Sequence, residues 1–233
     1  MIGLPRAHWR LTDSTNERVR ELAASGAPHG TLVTADEQSA GRGRQGRSWT
    51  APPRTAVLMS LLMRDLDARQ ALLPLAAALA VCEACEEEAR VACKVKWPND
   101  VWIERRKVAG ILVEGRPQEG WGVLGIGLNV NVEEDHFPPE LRETATSLLI
   151  ADGERPVEDV LGLLLDALTR WLAAPPEDVL LAWRERDALK GERIGWGGGS
   201  GVAAGIDDSG ALLVDTNDGR VALDAGEVHL AKD

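Results

Sequence analysis

The apolar patterning of the chain changes character near residue 190, and that change limits the folds open to it. Before it, strand-like runs and helical segments follow one another in mixed order. After it, only short strand-like runs remain, at 202–206, 211–214, 220–223 and 228–230. Gly, Asp and Asn turns separate them, including Asp207-Asp208-Ser209-Gly210 and Asn217-Asp218-Gly219. This predicts a small β-barrel at 189–233, too small to be very stable alone and so docked on the part formed by 1–188. In the larger part the pattern predicts a helix over 14–25 closed by Gly26, a strand over 31–35, and a Gly/Arg/Pro loop over 38–53. A strand follows over 56–63, then a helix over 68–90 that Pro74 starts or kinks. Short strands are predicted at 94–96, 101–103, 108–114 and 123–127. Helices are predicted at 157–173 and 177–189, separated by Pro175-Pro176.

Composition narrows the function classes. Thirty-seven acidic side chains against 26 basic ones give a net charge of -11, which argues against general nucleic-acid binding. Hydrophobic residues at 44% suffice for a substantial core. No apolar run approaches the roughly 18 residues of a membrane span, and the first 11 residues hold no signal-peptide core. Three cysteines make no disulfide framework, which points to a reducing cytoplasm. Cys82 and Cys85 form a C-x-x-C within a helical stretch. With no second C-x-x-C and no H-x-x-H, they read as two small buried residues rather than a metal or redox pair.

Gly41-Arg42-Gly43-Arg44-Gln45-Gly46 matches G-x-G-x-x-G in form. A dinucleotide site needs that motif to open a helix, and Pro52-Pro53 prevent one. What remains is a loop with Arg42, Arg44 and Arg47 between glycines, ended by Trp49. It reads either as a mobile clamp for a phosphate or carboxylate, with Trp49 capping an aromatic or apolar ligand, or as a solvated Arg/Gly loop that binds RNA.

The lysines are scarce, five against 21 arginines, and three of the five are Lys94, Lys96 and Lys107. Strand alternation puts Lys94 and Lys96 on one face, before a Pro98-Asn99-Asp100 turn. Lys107 precedes an apolar strand whose Gly110 allows close backbone approach. Such lysines suit phosphate oxygens, or serve as strand-edge charges against aggregation. Asp100 suits a hydrated magnesium ion, or is a turn residue. Ser14 and Glu17 fit a capping box; Ser14, Thr15 and Asn16 also offer short polar groups for a small ligand head. Asn129, just past the 123–127 strand, either orients a ligand or belongs to a plain strand end with a turn.

In their order these motifs resemble the bacterial biotin protein ligases: S-T-N at 14–16, Q-x-A-G-R-G-R-x-G at 38–46 with Trp49, K-W-P-N-D at 96–100, K-V-A-G-I-L-V-E at 107–114 and G-L-N-V-N at 127–131, then A-T-S-L at 145–148 and G-E-V-H-L at 226–230. The resemblance implies an α/β (α+β) catalytic domain with a mixed sheet, related to class II aminoacyl-tRNA synthetases, plus an SH3-like barrel. It implies that biotin and MgATP give biotinyl-5′-AMP, which then acylates a lysine of the biotin carboxyl carrier protein of acetyl-CoA carboxylase. Ser14, Thr15, Asn16 and Gln38 would contact biotin's ureido head. Arg42, Gly43 and Arg44 would close over biotin and the adenylate, Trp49 would pack near the adenine, and Lys107 would hold the biotin carboxyl and the α-phosphate. Asn99 and Asn129 would contact the adenylate or fix the site. Lys96 and Asp100 are further candidates, for phosphate charge and for metal. Only 13 residues precede Ser14, so a monofunctional ligase without the repressor's DNA-binding domain is expected. A homodimer is left open. A lipoate ligase of the same fold, an RNA-binding protein and a non-catalytic biotin-binding module are the competing readings.

Overall fold

The computed structural model describes residues 1–64, 71–224 and 226–231. The first residues of the helix expected at 68–90, and Lys232, lie outside them. The larger part is built on a seven-stranded sheet of β1 (Arg6–Thr12), β2 (Leu32–Gln38), β3 (Ala56–Arg64), β4 (Cys93–Lys96), β5 (Asp100–Ile103), β6 (Arg106–Arg116) and β7 (Trp121–Asn129). Its order is β1-β2-β3-β7-β6-β5-β4. β1 runs parallel to β2, and every other neighbouring pair is antiparallel, so the sheet is mixed. β1 has no counterpart among the strands expected from the sequence. It is an edge strand whose residues are mostly exposed or half-buried, so it lacks the apolar alternation that betrays a strand.

Period-2 alternation gives the sheet two different faces. Val57, Met59, Leu61, Leu124, Ile126 and Leu128 point to a core closed by α2 (Leu73–Glu88), α4 (Val157–Ala173) and α5 (Pro176–Glu185). α2 is apolar nearly all round because it lies between the sheet and these helices. Cys82, Cys85 and Cys93 are free and buried in this core. Pro74 falls in the first turn of α2, where a missing N–H costs nothing, so it starts the helix rather than kinking it. The opposite face meets α1 (Thr15–Ala24) through Val19, Ala23, Val33, Leu62 and Val123. α1 ends at Gly26, whose φ of +84° suits glycine. A short α3 (Leu148–Asp152) is capped by Ser147, which accepts from the Ile150 N–H.

The C-terminal part is a separate antiparallel sheet of SH3-like form. Its strands are β8 (Arg193–Trp196), β9 (Gly199–Ile206), β10 (Leu212–Thr216), β11 (Gly219–Leu223) and β12 (His229–Leu230), in the order β11-β10-β9-β8-β12. β8 was not expected: it is four residues long with Gly195 inside it and glycines at 197–199 after it, and its pairing with β12 joins residues far apart in sequence. Docking on the larger part occurs as anticipated. Ile194, Ala203, Ile206, Leu212, Val214 and Val228 belong to the same core as the helices. The Trp97 indole N–H donates to the Gly210 carbonyl at 3.0 Å. Among the described residues no helix is long and apolar enough to cross a membrane.

Candidate functional site

The α1 face of the sheet is shallow at its centre because its inward residues there are small. Ser60 pairs across the strands with Gly125, and Gly127 with Gly110. Two side chains use the space. Asn16 lays its carboxamide on Gly125, and Trp49 lays its indole on Gly127; a Cβ at either glycine would collide with that group. At Gly110 a Cβ would sit 3.1 Å from both Trp49 and the Lys107 ammonium. Gly125 and Gly127 are therefore called for by close approach, not by backbone conformation, and Gly110 is merely tight.

Above this floor lies a cavity of about 470 Å³, lined among others by Ser14, Thr15, Asn16 and Gln38. The Thr15 N–H and hydroxyl donate to Gln38 Oε1 at 2.7 and 3.1 Å. Ser60 Oγ lies 2.7 Å from Thr15 Oγ1 and 2.5 Å from Asn16 Oδ1. Asn16 Nδ2 donates to Glu114 Oε2 at 2.7 Å. The four expected residues are thus brought together, and the structure adds Ser60 and Glu114. Ser60 was the one polar residue in an apolar strand run, a signal that could have marked it. Glu114 stood inside a quoted motif and received no role. The capping box is not formed: Ser14 makes no side-chain capping bond, and Glu17 turns to Arg20 at 2.6 Å. The Ser14 hydroxyl is left to the cavity.

The Arg/Gly loop is folded as a small hairpin. Arg42 bridges Ser48, the Gly43 N–H donates to the Arg47 carbonyl at 2.7 Å, and the Trp49 N–H donates to the Gly41 carbonyl at 2.9 Å. Arg44 donates to Asn99 Oδ1 at 2.9 Å and to the Gly226 carbonyl at 3.2 Å. Arg47 pairs with Glu227. The C-terminal segment therefore forms one wall of a second cavity, about 560 Å³, which also holds Lys96, Asp100 and Lys107. Gly43, Arg44, Trp49, Asn99 and Lys107 line both cavities.

Charge dominates this second cavity. Lys107 Nζ lies 2.6 Å from Asp100 Oδ1 and 5.6 Å from the centre of the Trp49 ring. Burial pushes the Lys96 ammonium down and is the main cause lowering Arg44; Asp100 pulls both the other way. The guanidinium of Arg47 holds Glu227 below its ordinary value. Asn99 also pairs with β6 like a strand residue: its carbonyl accepts from the Ile111 N–H and its Nδ2 donates to the Ile111 carbonyl, both at 2.9 Å. Of the two roles expected for Asn129, adenylate contact or fixing the site, its position fits the second. It lines neither cavity and is buried behind the site, donating to the Thr146 carbonyl at 3.0 Å. Lys94 also lies outside, donating to the Glu185 carbonyl at the end of α5 at 3.0 Å. Glu133, Asp135 and His136 cluster on the surface, away from the lining of either cavity.

Residues 9–131 match the family described as biotin/lipoate A/B protein ligase, and residues 200–230 match the biotin protein ligase C-terminal domain. The chain is 36% identical to the bifunctional ligase/repressor BirA of Bacillus subtilis, over 99% of this chain and 75% of that protein. It is 37% identical to the biotin–[acetyl-CoA-carboxylase] ligase of Paracoccus denitrificans, over 93% of this chain and 97% of that one. Its fold is similar to the biotin protein ligase of Aquifex aeolicus solved with biotin and ATP, at a TM-score of 0.85 and 29% identity, covering 98% of this chain and 99% of the other.

Proposed function

The chain belongs to the biotin/lipoate A/B protein ligase family, and from that premise we propose that its two adjoining cavities hold the biotin head and the ATP phosphates. The protein is an ATP-dependent biotin–[acetyl-CoA-carboxylase] ligase. The observation that best supports the assignment of cavities is the position of Lys107, which lines both. A carboxylate at the end of the hydrogen-bonding cavity and an α-phosphate in the cationic one would meet at its ammonium.

The chemistry follows from that meeting. A carboxylate oxygen of biotin attacks the α-phosphorus, and the bond to the β-phosphate oxygen breaks, releasing pyrophosphate. Two anions have to approach, so fixed positive charge has to suppress their repulsion. Lys107 and Arg44 supply it at the reacting centre, and Lys96 supplies it toward the departing phosphates. The neutral donors and acceptors of Ser14, Thr15, Asn16 and Gln38 hold the ureido ring. Arg42, Gly43 and Arg44 close over the adenylate and exclude water from a mixed anhydride that hydrolyses readily. Trp49 packs near the adenine. Asn99 positions Arg44, and Asn129 fixes the end of β7 from behind. Two carboxylates line this cavity; Glu227 is paired with Arg47, and Asp100 is the one that would hold a magnesium ion brought by ATP. In the second step the amine of the carrier lysine attacks the acyl carbon, AMP leaves, and an amide forms.

The reading extends to a cytoplasmic protein, divided at 188/189, that modifies a biotin carboxyl carrier protein and does not bind DNA. Incubation with biotin, MgATP and a carrier domain, followed by mass spectrometry, should show one biotinyl group on the carrier. Labelling by lipoate and not by biotin would refute the reading.

A further inference from the structure

We propose that Glu114 sets the donor–acceptor polarity of the first cavity, and with it the preference for a cyclic urea; this rests on the ligase reading above. Glu114 lies on β6, does not line the cavity, and acts through Asn16. Its other oxygen pairs with Arg20, which also holds Glu17. A carboxylate accepts hydrogen bonds and donates none. Asn16 therefore has to turn its NH₂ toward Glu114 and its Oδ1 toward Ser60, 2.5 Å away.

The consequence propagates. Ser60 is fully buried and has one proton, which Asn16 Oδ1 takes. The proton of Thr15 is then spent on Ser60 Oγ at 2.7 Å or on Gln38 Oε1 at 3.1 Å. In either case Thr15 Oγ1 meets the cavity as an acceptor. Gln38 Oε1 already accepts from the Thr15 N–H, so Gln38 meets it with its NH₂. Acceptor and donor side by side complement a ureido group, which offers N–H donors beside a carbonyl acceptor. Glu114 is thus a positioning residue that biases the protons of Asn16, Ser60 and the Thr15 hydroxyl from one end, while the Thr15 N–H fixes Gln38 from the other.

Glu114→Gln removes the compulsion, because an amide can donate as well as accept. Asn16→Asp faces two carboxylates. The double variant exchanges donor and acceptor across the pair and restores the polarity. Biotin and ATP KM are read separately by biotin-dependent pyrophosphate exchange, with thermal midpoints confirming that each variant folds. We expect the biotin KM to rise about 10-fold in Glu114→Gln and about 100-fold in Asn16→Asp, and to return to within about fivefold of the parent in the double variant. The ATP KM should stay within about twofold in Glu114→Gln. Arg20→Met breaks the ion pair but leaves the acceptor, and should change the biotin KM by less than about threefold. An unchanged biotin KM in Glu114→Gln would overturn the proposal. So would a double variant no better than Asn16→Asp, or an Arg20→Met effect as large as that of Glu114→Gln. A parent protein with no biotin-dependent exchange would overturn the ligase reading itself, and this inference with it.

Discussion

The two cavities sit side by side and are built on opposite principles. The first is held by buried and half-buried hydrogen bonds among Thr15, Asn16, Gln38 and Ser60, on a floor of strand residues. The second is held by charge, on a loop and a C-terminal segment that meet at its rim. A neutral ligand head is recognised by direction, so its pocket has to be rigid and its donors fixed. A polyphosphate is recognised by charge, which tolerates a movable wall.

Substitutions can break that contrast, and the largest effect is expected where the cavities join. Lys107→Ala should lower the rate of biotin-dependent pyrophosphate exchange about 10³-fold, or about 4 kcal/mol, because it removes the charge shared by both reacting anions. Near-normal exchange would remove Lys107 from the chemistry. Next is the rigid floor. Gly125→Ala drives a methyl group into Asn16 and should raise the biotin KM about 100-fold while leaving the ATP KM within about threefold. Equal effects on both substrates would show that the cavities are not independent.

Smaller effects belong to the movable wall. Arg44→Gly should raise the adenylate off-rate about 30-fold and allow scattered lysine biotinylation, since it frees the loop from Asn99 and Gly226. An off-rate equal to the parent's would refute the retention role. The smallest effect is expected at Glu227→Gln. Its partner Arg47 is 60% exposed, so solvent screening limits the pair to about 0.5 kcal/mol. The sign of its pH dependence is fixed. Glu227 is held below its ordinary value of 4.5 by Arg47, so the contribution is complete above that value and is lost as pH falls through the lower folded value. Thermal midpoints of parent and variant should therefore differ slightly at neutral pH and converge in acid. A gap that widens in acid would contradict the assignment.

Much of this was legible in the sequence because it is local. The Gly26 stop after α1, the Pro175-Pro176 break, the change of pattern near residue 190 and the polar cluster at 14–16 each depend on neighbours a few residues away. The residue types also fixed the chemistry: lysine and arginine for phosphate, short polar side chains for a ligand head. Residue type alone did not separate Asn99 from Asn129: Asn99 lines both cavities while bonded to β6 and the loop, whereas Asn129 lines neither and is held by Thr146.

Partnership was decided by the tertiary structure alone. Glu114 lies 98 residues from Asn16, and Glu227 lies 180 from Arg47. Such contacts arise from strand order and from the docking of the second sheet, neither of which leaves a periodic trace. β1 was missed because its residues are mostly exposed or half-buried, and β8 because it is a four-residue strand containing Gly195, completed by pairing with β12. The chain's own order of residues determined which chemical groups the site contains. Folding decided which of them touch, and so which oxygen accepts and which nitrogen donates, because a hydrogen bond's direction depends on the partner that long-range packing supplies.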